Sequence, residues 1–225
     1  MKIMKIYALR VLNNLIRKNH LLTKLIFKIK PPNNNDIHWD FTTLALKKVL
    51  DQLIKYDHEI LEIGTGPYAI LSLYLFKKGY YRIVATDINA DYITSAMQTA
   101  SFNDADLAIV KSNLFTNIVN KYDIIFFNSV YIPEAIGKQM GLNRLHSSKT
   151  HWCGGRYGNE LIREFLRDAN CFLHNNGRIL LGFNPHYLPS EKVHDLCQHF
   201  GYHITQKVKP LLLPSIVLIL QKGKK

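Results

Sequence analysis

The chain is poor in cysteine, poor in acid and free of long apolar runs. Its three cysteines, Cys153, Cys171 and Cys197, are odd in number and far apart in a chain of 225 residues. They form no Cys-x-x-Cys pair and stand in no histidine-rich cluster, so no metal site is expected. A reduced, cytoplasmic setting is the default. No apolar run reaches the roughly 18–20 residues that a membrane-spanning helix needs. The longest candidate, Leu211 to Leu220, is broken by Pro214 and Ser215, so the chain is not expected to be transmembrane. Acids number 17 against 29 lysines and arginines, for a net charge of +12. The deficit is concentrated at the start. Residues 1–35 hold Lys2, Lys5, Arg10, Arg17, Lys18, Lys24, Lys28 and Lys30 and no acid. Such an asymmetry makes an anionic partner (RNA, a ribosomal surface or a membrane face) a candidate for this segment, with a solvated helix face as the alternative.

What is present is enough for one domain with a short appendage: 225 residues, 47% of them hydrophobic. Apolar residues at helical spacing, among them Ile16, Leu21, Leu25 and Ile29, predict a helical leader. A basic, acid-free, amphipathic start also resembles a transit peptide. The length of the segment and the stop at Pro31-Pro32-Asn33-Asn34-Asn35 favour an accessory segment over residues 1–35, docked on a main domain over 36–225.

The main domain is organised around Glu62-Ile63-Gly64-Thr65-Gly66. An apolar run from His58 to Ile63 reads as a buried strand, and the glycines after it let a backbone approach a ligand where a Cβ would clash. A helix begins near Pro67-Tyr68-Ala69. A second strand, Arg82 to Thr86, ends in Asp87, at about the distance where a nucleotide-binding fold sets a carboxylate on a ribose hydroxyl pair. Tyr68 stands where a dinucleotide fingerprint wants a third glycine, which argues against NAD. The pattern suits an adenosine ligand without phosphates, S-adenosylmethionine, with Glu62 toward its charged methionine end and Asp87 on its ribose.

The remaining elements alternate as a parallel α/β sheet requires. A helix is expected over Ile37–Tyr56, capped by Asp40 or Thr42, and another over Ala69–Lys78. The next helix is Asp91–Asn103, and strands follow at Leu107–Lys111 and Tyr122–Phe127. The latter ends in Asn128-Ser129-Val130-Tyr131-Ile132-Pro133. Residues 134–157 read as an irregular substrate loop, at the sheet edge where open α/β folds place their sites. A helix over Tyr157–His174, an Asn176-Gly177 turn, a strand over Arg178–Phe183 and a helix over Ser190–Phe200 follow. Two closing strands, Tyr202–Val208 and Ser215–Gln221, are too close for a crossover and should pair antiparallel.

These motifs resemble class I S-adenosylmethionine-dependent methyltransferases, and more narrowly the HemK/PrmC-like group. That group ends its fourth strand in Asn-Pro-Pro-Tyr and carries a later Gly-Gly-x-Asp-Gly, similar to Gly154-Gly155-Arg156-Tyr157-Gly158. The resemblance implies a seven-stranded Rossmann-like sheet with an antiparallel last strand. It implies S-adenosyl-L-methionine held by Glu62, Gly64, Thr65, Gly66, Asp87, Ile88, Asn113, Leu114 and Asn128. Asn128 and Tyr131 would be catalytic, and Ser129, Tyr131 and Trp152 would touch the acceptor. The expected activity is N-methylation of a planar amide or amino group on a protein, nucleic acid or small metabolite. The alternatives are a diverged O- or N-methyltransferase of specialised metabolism and a catalytically silent partner that only binds the cofactor. Ser129 and Val130 replace both prolines, Asn113 replaces the usual acid after strand 3, and Tyr157 replaces the acid of the second glycine motif. Without the prolines, the Asn128 turn needs other contacts to hold it.

Overall fold

A computed structural model describes residues 15–32, 36, 38–145, 149–211 and 213–223. The expectations for 1–14 of the leader and for Asn33–Asn35 of the linker lie outside the described residues. Seven strands form one sheet: β1 (Ile60–Ile63), β2 (Ile83–Asp87), β3 (Ala108–Lys111), β4 (Tyr122–Asn128), β5 (Leu173–Phe183), β6 (Tyr202–Val208) and β7 (Ile216–Lys222). Their order is β3-β2-β1-β4-β5-β7-β6. β7 runs antiparallel to both neighbours, and the other contacts are parallel. The order reverses between β1 and β4, which places a crevice beyond their carboxyl ends.

Period-two alternation divides the sheet between two apolar layers. Ile60, Ile124, Phe126, Leu180, Val217 and Ile219 face one layer. It is filled from α2 (Phe41–Leu53), α3 (Ile70–Lys77) and α4 (Ala90–Phe102). Leu61, Ile63, Ile125, Phe127, Ile179, Leu181, Leu218 and Leu220 face the other, filled from α7 (Glu160–Ala169) and α8 (Ser190–His199). Covering on both faces is the physical reason why β4 carries the continuous apolar run Ile124 to Phe127.

The leader ends in a short helix α1 (His20–Phe27), capped by Asn19, whose side chain accepts from Leu22 N–H. Phe27 and Ile29 are fully buried in the first layer, where the Phe27 ring lies 5.7 Å from that of Trp39. Leu21 and Leu25, which carry the sequence periodicity, instead face solvent. Buried polar bonds fix this stretch: Trp39 Nε1–H donates to Thr23 Oγ1 at 2.9 Å, and His38 N–H donates to the Arg17 carbonyl at 3.1 Å.

Four boundaries differ from the sequence reading, the first being the helix expected over Ile37–Tyr56, which spans Phe41–Leu53 between its caps Asp40 and Ile54. Residues 134–157 are not irregular throughout; they hold α5 (Glu134–Gln139), α6 (Leu142–Leu145) and a 3₁₀ turn, Lys149–His151. Gly137 hides the signal, because its bare Cα packs on the Trp152 ring where a Cβ would lie 1.9 Å away. The helix expected over Tyr157–His174 spans only Glu160–Ala169, since the backbone at Gly158 has φ +82°. β5 starts early, at Leu173, and absorbs Asn176-Gly177 as a register shift against β4 instead of a turn.

Candidate active site

A cleft of about 770 Å³ opens at the carboxyl edge of the sheet. Every residue expected to hold cofactor or acceptor lines it: Glu62, Gly64, Thr65, Gly66, Asp87, Ile88, Asn113, Leu114, Asn128, Ser129, Tyr131 and Trp152.

One half is built from β1, β2 and the turns after them. Gly64 and Gly66 have φ of +67° and +68°, which glycine adopts without strain. A Cβ on Gly64 would lie 3.3 Å from the Phe127 ring, while one on Gly66 would meet nothing within 4 Å, so space for a ligand opens at Gly66. Asp87 is buried, with one oxygen accepting from Gly66 N–H and the other from Asn89 N–H, both at 2.9 Å. Burial raises its pKa, against the pull of these backbone donors. A carboxylate has roughly four lone-pair positions, so capacity remains for a ligand hydroxyl. Glu62 is buried against α3, accepting from Thr65 Oγ1 at 2.7 Å and from Ser72 Oγ. Burial raises its pKa to about 7, against the two hydroxyl donors. A carboxyl held at the edge of ionisation suits a cationic ligand that would complete its ionisation. Glycine-lined space flanked by two buried carboxyls thus fits a nucleoside with a positive amino-acid tail. Asn113 lies exposed on the rim, and Ile88 is half exposed.

The other half joins β4 to the segment before α2. Asp40 caps α2: its Oδ1 accepts from Thr43 N–H at 2.7 Å and from Thr43 Oγ1 at 2.8 Å, and its own N–H donates to Thr43 Oγ1 at 3.1 Å, completing a capping box. The same Oδ1 accepts from Asn128 Nδ2 at 3.2 Å, and Asn128 Nδ2 also reaches Thr43 Oγ1 at 3.3 Å. Both bonds use the NH₂ end of Asn128, so its amide oxygen is the end left for a ligand. The Tyr131 hydroxyl shares a 3.2 Å bond with Thr42 Oγ1, which in turn bonds Ser215 Oγ at 2.8 Å. Burial holds the Tyr131 pKa far above its ordinary value, with Asp40 adding repulsion, so the phenol stays protonated. Its ring lies 6.3 Å from that of Tyr187 and nearly parallel to it. Trp152 is buried, and its indole N–H has no acceptor among the described residues.

The second glycine motif supplies what the missing prolines would have supplied. Ile132 and Cys153 form a parallel bridge, and Gly154 N–H donates to the Ile132 carbonyl at 3.0 Å. A Cβ on Gly154 would meet the Val130 carbonyl at 2.7 Å, and one on Gly158 the Tyr131 carbonyl at 2.5 Å. The Asn128–Pro133 turn is therefore clamped from outside.

Sequence reasoning missed three contributors. Asp40 was read only as a cap, and Arg17 only as part of a charge run. Gly182, opposite Asn128 in the sheet, carried a readable signal: a glycine inside an apolar strand marks close backbone approach. A Cβ there would lie 2.7 Å from Thr42, so Gly182 is what lets α2 reach the site.

Fold and site together resemble those of class I S-adenosylmethionine-dependent methyltransferase domains. The comparisons agree. Residues 38–133 match the family model described as ribosomal protein L11 methyltransferase, PrmA. A protein of Methanocaldococcus jannaschii named as an N5-glutamine methyltransferase is 31% identical over 136 residues, 60% of this chain and 64% of that one. The release factor glutamine methyltransferase of Streptococcus pneumoniae is 29% identical over 174 residues, 71% of this chain and 62% of the relative. The chain thus spans less than two thirds of the length of these relatives. A methyltransferase structure from Pyrococcus furiosus superposes with a TM-score of 0.68 at 18% identity, covering 92% of this chain and 95% of the other, and shows the shared fold. The HemK/PrmC-like resemblance is thus matched by relatives named for glutamine methylation. No helix among the described residues is long and apolar enough to cross a membrane.

Proposed function

We propose that the protein N-methylates a planar carboxamide of the glutamine type. The observation that carries this reading is the orientation of Asn128, whose NH₂ end is engaged by Asp40 and Thr43. Its oxygen is thereby offered at the mouth of β4 as an acceptor for an N–H of the substrate. Glu62, Gly64, Thr65, Gly66, Asp87, Ile88, Asn113 and Leu114 would hold the cofactor, which supplies an electrophilic methyl on a cationic sulfur; Asn128, also expected on the cofactor, is read as a contact of the acceptor alone.

An amide nitrogen is a weak nucleophile because its lone pair is delocalised into the carbonyl. Asn128 Oδ1, with the backbone carbonyl at Ser129, would hold the two N–H groups and favour a pyramidal nitrogen. As the new N–C bond formed, the methyl–sulfur bond would break and leave a neutral thioether; the positive charge passing to nitrogen would be bound more strongly by both acceptors, which is the differential binding that accelerates a reaction. The proton leaves nitrogen after the bond is made, toward Asn128 Oδ1 and then solvent. Tyr131, kept protonated, offers its ring to the planar group. Trp152, which lines the cleft, would touch the acceptor. Positioning supplies the rest of the rate.

The test is methyl transfer from labelled S-adenosylmethionine to N-acetyl-L-glutamine and to a glutamine peptide derived from a release factor. Acid hydrolysis of the product should release methylamine, as an N-methyl amide does. Release of methanol, or transfer to neither acceptor, would contradict the reading.

A further inference from the structure

Arg17 is not used by the reaction just described, yet it lines the cleft. Its Nε–H donates to the Trp39 carbonyl, and among the described residues that is the guanidinium's one hydrogen-bond acceptor. A guanidinium carries five N–H donors. Burial lowers its pKa, opposed by the nearby Asp40, Tyr131 and Tyr187. Asp40 does not pair with it: no ion pair joins the two, and the Asp40 Oδ1 is occupied by Thr43 and Asn128. Arg17 is half-buried, and a partly desolvated cation with spare donors gains from a ligand that completes it. Arg17 is held by the Trp39 carbonyl and Asn128 by the side chain of the next residue, Asp40, so both groups are tied to neighbouring residues of the cleft wall.

We infer that Arg17 is an anion subsite for the methyl acceptor, and that the acceptor carries a carboxylate beside its carboxamide. A free amino-acid derivative and the carboxyl terminus of a peptide both offer this chemistry. The planar fork of arginine matches a carboxylate through two parallel bonds. Arg17 then sets specificity without touching the transferred methyl. The inference rests on the methyltransferase reading of the cleft.

The test uses the full chain loaded with S-adenosylhomocysteine and titrated by calorimetry. The probes are N-acetyl-L-glutamine and acetyl-Gly-Gly-Gln, each as the free acid and as the methylamide. The wild type should bind at least one acid tenfold or more tightly than its amide. The stronger of the two acids identifies the source. Arg17→Met should erase the preference while leaving S-adenosylhomocysteine affinity unchanged. Arg17→Gln, which keeps a donor without the charge, reads the same loss should Arg17→Met fail to fold. Equal binding of acid and amide, binding of neither, or a preference that survives both substitutions overturns the subsite. Failure of S-adenosylhomocysteine to bind the wild type overturns the methyltransferase reading as well, and the first titration alone reveals it.

Discussion

The two halves of the cleft are assembled over very different lengths of chain. In the cofactor half, Thr65 and Ser72 bond to Glu62 across 3 and 10 positions, and Gly66 bonds to Asp87 across 21. In the acceptor half, Asn128 bonds to Asp40 across 88 positions, Tyr131 to Thr42 across 89, and Thr42 to Ser215 across 173. The first half is a local device: a strand, a glycine turn, a helix and a second strand suffice to make it. The second half exists only once α2 has docked on β5 at Gly182 and the leader has tucked Arg17 against Trp39. Binding of cofactor should therefore survive damage to the acceptor half, while transfer should not.

The largest expected effect breaks that comparison most sharply. Asn128→Ala should cut single-turnover transfer by about 100–1,000-fold, the range for losing one preorganised partner of developing charge. Calorimetry should find its S-adenosylmethionine affinity unchanged; a matching loss of affinity would merge the two halves. Asp87→Ala should do the reverse, weakening cofactor by about 1–3 kcal/mol, as removal of a charged hydrogen-bond partner does. Its turnover at saturating cofactor should stay within a few-fold of wild type. Asp40→Ala probes the link between cap and catalysis. It should lower kcat by about tenfold with KM for cofactor unchanged, because Asn128 loses the acceptor that fixes its amide. It should also cost about 1 kcal/mol of stability through the lost cap. Asp40→Asn, which can still cap and still accept at Oδ1, should restore most of both.

The smallest effects are titrations of opposite sign. Glu62 in the fold has a pKa raised to about 7 from an ordinary 4.5. Its contribution to stability is therefore full below about pH 4.5 and is lost as pH rises through about 7. A cationic ligand favours the ionised form, so S-adenosylmethionine should bind more tightly as pH passes 7, and Glu62→Gln should flatten that dependence. His38 is shifted the other way, to about 4 from 6.5, because burial disfavours its charged form and His20 repels it. Its contribution is present above pH 6.5 and lost as pH falls toward 4. Melting temperatures recorded from pH 4 to 8 should show the acid-side loss relieved in a His38→Phe variant if the protonation of that ring causes it.

Much of the cofactor half was legible in sequence because its signals lie within one βαβ unit. Glu62, Gly64, Gly66 and Asp87 follow one another closely enough for spacing to carry meaning, and the structure brings them together at one edge. The inner strands β4 and β7 were legible for a related reason, since burial on both faces writes near-continuous apolar runs. The acceptor half was legible only where the Asn128–Pro133 motif resembled that of a known family. Arg17 was hidden among the charges of the leader. Asp40 carried two roles under one signal, because a capping aspartate looks the same whether or not it also holds a distant amide. The clamp of Gly154 and Gly158 on the Asn128 turn could not be derived from spacing, as it depends on how the segment through α5 and α6 folds back.

Co-crystallisation with S-adenosylhomocysteine tests the central claim most directly. The account predicts ribose hydroxyls on the Asp87 carboxylate and a sulfur facing Asn128 across an open acceptor space beside Tyr131. A ligand whose ribose lies elsewhere, or whose sulfur points away from Asn128 with that space closed, would contradict it.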